Sequence, residues 1–297
     1  MLSKSLRRET LAAYTFLAPF LLLLGIFALW PLGQAFWLSF HAFDLFSPPR
    51  WIGLANYRRL LTQGDFWISI KNTSVYTLVV VSAQTALALG LALVLDQKLR
   101  GKTFFRVAFF LPSVTSSVAI SLIFMFLFFK NGFLNEALAW VHLDVVLRLF
   151  GLQTPVDWLG NPRTALWAIM AQNVWSTAGF FMIVFLAGLQ GISETLYEAA
   201  RVDGASHLQL LWHVTLPQLR PTIFFVVTMG MIGCFQVFDQ VYVMTDGGPI
   251  KATLTTAYLL YKEAFVNFNM GYACAIAFVL ATIIFACTMV QKRLLGE

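Results

Sequence analysis

No charged side chain interrupts the stretch from residue 11 to residue 40, and apolar runs of comparable length recur five more times along the chain. The runs predict membrane-spanning helices at 13–37, 73–95, 107–129, 165–189, 223–244 and 271–291. Each approaches the roughly 20 residues that cross a hydrocarbon core about 30 Å thick at a rise of about 1.5 Å per residue. Backbone polar groups in hydrocarbon must pair internally, and the runs lack the two-residue alternation of barrel strands, so helices are the expected form. The first run is about twice the apolar length of a signal peptide and shows no small-residue cleavage site, which makes it an uncleaved span. The expected fold is therefore all-α: a polytopic bundle of about six transmembrane helices in a single membrane domain, 13–291, with short tails at 1–12 and 292–297.

Composition narrows the class. Of 297 residues, 59% are hydrophobic and 11% charged, against roughly 25% charged in a soluble domain. A mean hydropathy of +0.75 agrees. Too few charges remain to cover a soluble surface, so the lipid bilayer is part of the solvent. The net charge of +6 does not indicate nucleic acid, because the 20 Lys and Arg are dispersed between apolar runs. Their use is topological: with the N-terminus cytoplasmic, the inside segments 1–12, 96–106, 190–222 and 292–297 carry eleven of them at higher density than the outside loops. Lys98, Arg100, Lys102 and Arg106 form the densest group, and both termini are then cytoplasmic. Residues 51–61 read as a short amphipathic interfacial helix, and Trp51, Trp67, Trp158 and Trp167 fall near span ends, where aromatic belts form.

Several chemistries are excluded. Gly101-Lys102-Thr103 matches the end of a phosphate-binding loop, but Asp96 stands where the pattern needs glycine, and no strand precedes it. Cys234, Cys274 and Cys287 lie in apolar runs without metal or disulfide spacing, and His41, His142, His207 and His213 form no constellation. No metal, cofactor or catalytic group is expected.

The most informative segment is the predicted inside loop 190–222. Ser193 with Glu194 opens one short helix, Gly204 closes it, and Ser206 with Gln209 forms a capping box for a second. Pro217 and Pro221 mark the return to the membrane. By shape this is either a docking knob with Tyr197, Leu208 and Trp212 as apolar anchors or a simple interfacial loop.

Glu198-Ala199-Ala200, Asp203-Gly204-Ala205 and Leu216-Pro217 resemble the EAA loop of permease subunits of bacterial ABC importers, with the spacing from Glu198 to Gly204 and from Val214 to Pro217 kept. Val214 stands where the family usually has isoleucine, and Leu211 where an aromatic is common. Gly53-Leu54-Ala55-Asn56-Tyr57, Leu186–Gln190, Phe238-Asp239, Thr245–Pro249 and Gly271-Tyr272-Ala273 extend the resemblance over nearly the whole chain. The loop at Gly247-Gly248-Pro249 is similar to that of the first of two paired permeases in the maltose, lactose and glycerol-phosphate transporter group. The resemblance implies a carbohydrate importer subunit. Its partners would be a second permease in a heterodimer, a cytoplasmic ATPase dimer that hydrolyses the ATP, and an extracytoplasmic solute-binding protein. Tyr197, Leu208, Leu211 and Trp212 would join the motif residues in coupling to the ATPase. A self-contained secondary transporter, or an amino-acid or peptide permease, is the alternative.

Polar groups inside spans usually face a bundle interior or a water-filled path. Asn173, Thr177 and Phe180 are spaced to share one helix face, as are Gln236, Asp239 and Gln240. An amide, a hydroxyl and an aromatic ring suit a sugar, so both faces are candidates for the substrate pathway; the other reading is helix–helix adhesion. The serine stripe Ser113, Ser116, Ser117 and Ser121 favours adhesion, and Pro112 is placed to kink its span.

Overall fold

The computed structural model of the protein describes residues 4–97, 100–149, 151 and 153–295. Lys98 of the basic group lies outside the described residues. The chain divides into two compact units, one taking in Met1–Gln63 with Leu260–Val279 and the other Gly64–Leu259 with Leu280–Glu297.

In the first unit, α1 (Lys4–Leu24), a π-helical turn at Gly25–Leu29 and α2 (Trp30–Leu38) make one helical run. Its span Glu9–Leu38 has no buried residue in its most apolar stretch, which suits a helix whose surroundings are apolar. A two-residue hairpin follows, β1 (His41–Ala42) against β2 (Arg50–Trp51), and then α3 (Ala55–Thr62). The helix expected at 51–61 forms from Ala55 to Thr62, while Trp51 belongs to a strand and Gly53, at φ +59°, makes the corner between them. Asn56 explains the tightness of this corner: its buried amide donates to the carbonyls of Ser39 (2.9 Å) and His41 (3.0 Å). One turn along, Arg59 lies 4.2 Å over the Tyr272 ring and 3.6 Å from the buried Glu263 carboxylate. Glu263 also accepts from Asn267 (3.0 Å) and Asn269 (2.8 Å), so its charge is fully partnered.

The second unit is built around α4 (Gly64–Asp96), which continues the expected second span by two turns at its start. A sharp turn with Gly101 at φ +77° leads into α5 (Lys102–Val114), α6 (Ser117–Leu127), α7 (Phe133–Trp140) and α8 (Asp144–Leu149), and then the long α9 (Ala165–Gln190). α9 matches the expected fourth span within a residue. Ala88, Ala92 and Leu95 of α4 pack with Phe181, Met182, Phe185 and Leu189 of α9, so the two helices run parallel, small residues on one opposite large ones on the other. The chain continues through α10 (Glu194–Val202), α11 (His207–Leu210), a π-helical turn Leu211–Thr215, α12 (Leu216–Gln218), α13 (Arg220–Phe235), α14 (Asp239–Met244), α15 (Thr256–Tyr261) and α16 (Met270–Leu295).

Among the described residues, four helices are long and apolar enough to span a bilayer, Glu9–Leu38, Gly64–Asp96, Ala165–Gln190 and Met270–Arg293, and counting each of two bent pairs as one span brings the number to six. The second bent pair joins His207–Gln218 to Arg220–Phe235 at 68°, so its first arm lies in the segment read from the sequence as the loop 190–222. Two of the expected spans are themselves interrupted. The run expected at 107–129 bends by 99° between α5 and α6. Thr115 and Ser116 adopt extended backbone there, and Pro112 in the preceding turn cannot donate to the helix ladder. The run expected at 223–244 ends as a helix at Phe235 and resumes only at Asp239.

Candidate functional site

The bend between α5 and α6 opens a pocket of about 250 Å³. Its construction begins with Gly179 on α9, where a Cβ would collide with the Phe109 carbonyl, so only glycine allows α5 this close. At that crossing the Ser113 hydroxyl donates to the Ser176 carbonyl (2.7 Å) and accepts from the Phe180 N–H (3.1 Å). A side chain of α5 is thus inserted into the i→i−4 ladder of α9, which ties the bend to the helix beside it. The walls are Ser113, Thr115 and Ser117 from the bend, Thr177, Phe180 and Phe181 from α9, and Gln240 from α14. Hydroxyls and an amide on one side and phenyl rings on the other match a ligand with hydroxyl groups and an apolar face. The volume falls just below the roughly 300–1,000 Å³ of complete small-molecule sites.

Thr177 is anchored from behind. Its hydroxyl donates to Oε1 of Gln84 (2.7 Å) and lies 2.8 Å from the Asn173 carbonyl. Gln84 is 1% exposed and fits only because Gly230 of α13 carries no side chain where the Gln84 amide lies. The junction of α4, α9 and α13 is therefore polar at its centre.

The structure sorts the expected pathway residues. Thr177, Phe180 and Gln240 line the pocket, whereas Asn173 is buried, and its side chain is not among the walls. Gln236, Asp239 and Gln240 do not share one helical face, because Gln236 caps the end of α13 and Asp239 begins α14 after a break. Gln236 and Asp239 are exposed instead. The serine stripe serves both readings at once: Ser113 binds helices together, while Ser113 and Ser117 face the pocket. Sequence reasoning missed Gln84, although an amide in the middle of an apolar run was the available signal.

The second candidate feature is the loop after α9. Ser193 stands at the N-cap of α10, but its hydroxyl pairs with Thr195 (2.7 Å) and caps nothing, contrary to expectation. Gly204 ends the helix at φ +83°, and the Ala205 N–H returns to the Ala200 carbonyl (2.9 Å). The Ser206–Gln209 capping box forms on both sides, at 3.4 Å and 2.7 Å. Tyr197 is not an exposed anchor: it is half-buried, and its hydroxyl meets Thr215 at 3.0 Å, bracing α10 against the turn that leads to α12. The exposed large apolar groups are Leu208 (66%) and Trp212 (62%), four residues apart, with Val202 (88%) and Leu196 (42%), which the sequence reading left out. Glu198, Ala199 and Asp203 are exposed beside them, Ala200, Ala205, Leu211 and Leu216 are half-buried, and Pro217 lies in the first turn of α12.

Comparison with known proteins bears on both features. The family described as "Binding-protein-dependent transport system inner membrane component" matches residues 84–294, which include the pocket and the loop. "Probable ABC transporter permease protein YesP" of Bacillus subtilis is 36% identical over 292 residues, 97% of this chain and 91% of that one. "Trehalose/maltose transport system permease protein MalF" of Thermococcus litoralis is 34% identical over 271 residues, 91% of this chain and 87% of that one. Among solved structures, a chain of a bacterial alginate ABC transporter in complex with an alginate-bound periplasmic protein superposes with a TM-score of 0.80, at 23% identity, over 100% of this chain and 98% of that one. That likeness shows the fold.

Proposed function

The chain belongs to the inner-membrane components of binding-protein-dependent transport systems, and from that premise we propose that it is the transmembrane permease subunit of an ATP-driven importer of a carbohydrate. The observation that carries the reading is the loop after α9: EAA-type spacing folded into two short helices that present Leu208 and Trp212 to the outside. A rigid pair of helices with an exposed Trp is the usual form of an interface anchor. In this reading the loop is cytoplasmic, both termini lie on the same side, and the knob seats in a separate ATPase whose closure on ATP drives alternating access.

The substrate class follows from the pocket together with the relatives. Ser113, Thr115, Ser117, Thr177 and Gln240 supply hydroxyl and amide partners, and Phe180 supplies an apolar platform. No charged side chain lines it, which favours a neutral polyhydroxyl solute over an amino acid or a peptide. Relatives named for trehalose/maltose and multiple-sugar transport point the same way. A second permease supplies the other half of the path, and an extracytoplasmic binding protein delivers the solute.

The test is uptake of radiolabelled mono-, di- and oligosaccharides by cells that carry or lack this chain, with an amino-acid panel alongside. Saccharide uptake that disappears with the chain, and that Phe180→Ala weakens, supports the reading. Loss of amino-acid uptake with saccharide uptake intact removes it.

A further inference from the structure

A second cavity, of about 500 Å³, runs between α4 and α5 on the far side of their turn. Its walls include Leu87, Gly90 and Val94 of α4 and Phe105 and Phe109 of α5, and every lining side chain is apolar. A side chain at Gly90 would meet nothing within 4 Å, so the groove is open along its length. From Leu87 to Val94 it extends roughly 10 Å along the helix axis.

The flank of α5 beside the groove has the opposite chemistry. α5 starts at Lys102, and Lys102 and Arg106 are four residues apart on the flank of α5 next to Phe105 and Phe109. Both are half-buried, and neither has an ion pair among the described residues. The Nε of Arg106 is shielded and has no hydrogen-bond partner. Arg100 is exposed in the same turn, and Asp96, the nearest acid in sequence, is exposed and pairs with none of them. A guanidinium offers a fork of donors that fits phosphate oxygens.

We propose that this groove binds one anionic phospholipid, its acyl chain between α4 and α5 and its phosphate on Arg106 and Lys102. An apolar slot flanked on α5 by a half-buried arginine without an ion pair among the described residues is complementary to an amphiphile of that charge. A free anion would leave the slot empty, and a zwitterionic lipid would bring its own cation to the arginine. Basic pockets between transmembrane helices are a known form of anionic headgroup site. The proposal goes beyond the transport reading and does not depend on the solute carried.

The experiment uses the full chain in vesicles and two probes with the same photoreactive acyl chain, phosphatidylglycerol and phosphatidylcholine. Phosphatidylglycerol is expected to label peptides 86–95 or 102–109 in preference to phosphatidylcholine, by about fivefold for each basic residue engaged. The double variant Lys102→Gln, Arg106→Gln should bring its labelling down to the phosphatidylcholine level. Gly90→Leu should suppress labelling by both probes, and Val94→Trp, at an exposed position, repeats that arm should Gly90→Leu fail to fold. Equal labelling by the two probes in the wild type overturns the proposal, as does labelling that survives both groove-filling variants. It is also overturned if, on assembly with a second permease, the label disappears and the groove peptides cross-link to that chain, for then a helix occupies the slot.

Discussion

Gly179→Ala is the substitution that most directly tests how the pocket is held. The new methyl meets the Phe109 carbonyl, a backbone atom that cannot rotate away. Overpacking typically costs about 1–3 kcal/mol. Pushing α5 back also stretches both hydrogen bonds of Ser113, worth about 0.6 kcal/mol each in membrane proteins. Replacing a mid-helix glycine returns up to about 1 kcal/mol of helix propensity. The net loss is about 1–3 kcal/mol, which amounts to roughly 2–4 °C per kcal/mol in apparent unfolding midpoint for a chain of this order. Gly90→Ala is the matched control: the same change in the neighbouring helix, into open space, should leave stability equal or slightly raised. Thermal unfolding of the purified protein in detergent, with uptake kinetics beside it, reads both. Gly179→Ala should melt several degrees below Gly90→Ala and show a raised apparent KM, because the walls at Ser113 and Phe180 move apart. Equal midpoints and an unchanged KM for the two variants would refute the reasoning.

Other consequences are smaller. Thr177→Val removes the hydroxyl that binds Gln84 and should raise the apparent KM about fivefold, near 1 kcal/mol, with assembly of the transporter unchanged; unchanged uptake kinetics would take Thr177 out of the pathway. Arg59→Ala leaves the buried Glu263 carboxylate without its cation. The cost should be about 1–2 kcal/mol, below that of a fully buried pair because Arg59 is itself 41% exposed, and Arg59→Lys should recover only part of the loss, since the stacking on Tyr272 goes too; unfolding midpoints check both. The Asp44 carboxylate is held below the usual carboxylate range, chiefly by the Ser47 N–H; desolvation opposes this, and the Phe46 N–H and Ser47 hydroxyl add to the lowering. A lowered folded value means that the turn gains stability above the unfolded value near 3.9 and loses it as pH falls through the lowered one. Hydrogen exchange at Phe46 and Ser47, corrected for intrinsic rates, should accelerate below about pH 4 in the wild type and lose that step in Asp44→Asn.

Much of the fold was legible because hydrocarbon imposes length and polarity so strictly. The span expected at 165–189 is α9 almost to the residue, and the capping box at Ser206 and Gln209 forms as the spacing requires. The breaks were only partly legible. Pro112 pointed to a kink in the third expected span, but the size of the bend depends on Ser113 reaching into a helix more than sixty residues away, which no local pattern shows. The gap at 236–238 falls where polar side chains interrupt the apolar run, and a face drawn through Gln236, Asp239 and Gln240 assumed a helix that is not continuous. Tyr197 illustrates the limit for single side chains: an aromatic on an amphipathic helix reads as an anchor, and only the contact with Thr215 shows it to be a brace. Gln84 was hidden because its worth depends on Gly230, a vacancy no local pattern records.

The central claim is that the loop after α9 holds the ATPase, and co-purification from mildly solubilised membranes tests it most directly. Gly204 sits exposed at φ +83°, a conformation a residue with a Cβ adopts at a cost that is smaller for Asp than for most, so Gly204→Asp should strain the turn between α10 and α11 modestly and put a new negative charge on its surface. The account predicts that wild type brings down an ATPase and a second permease, and that Gly204→Asp keeps the permease and loses the ATPase. Recovery of the ATPase in full with Gly204→Asp, or of the wild-type chain alone, would contradict it.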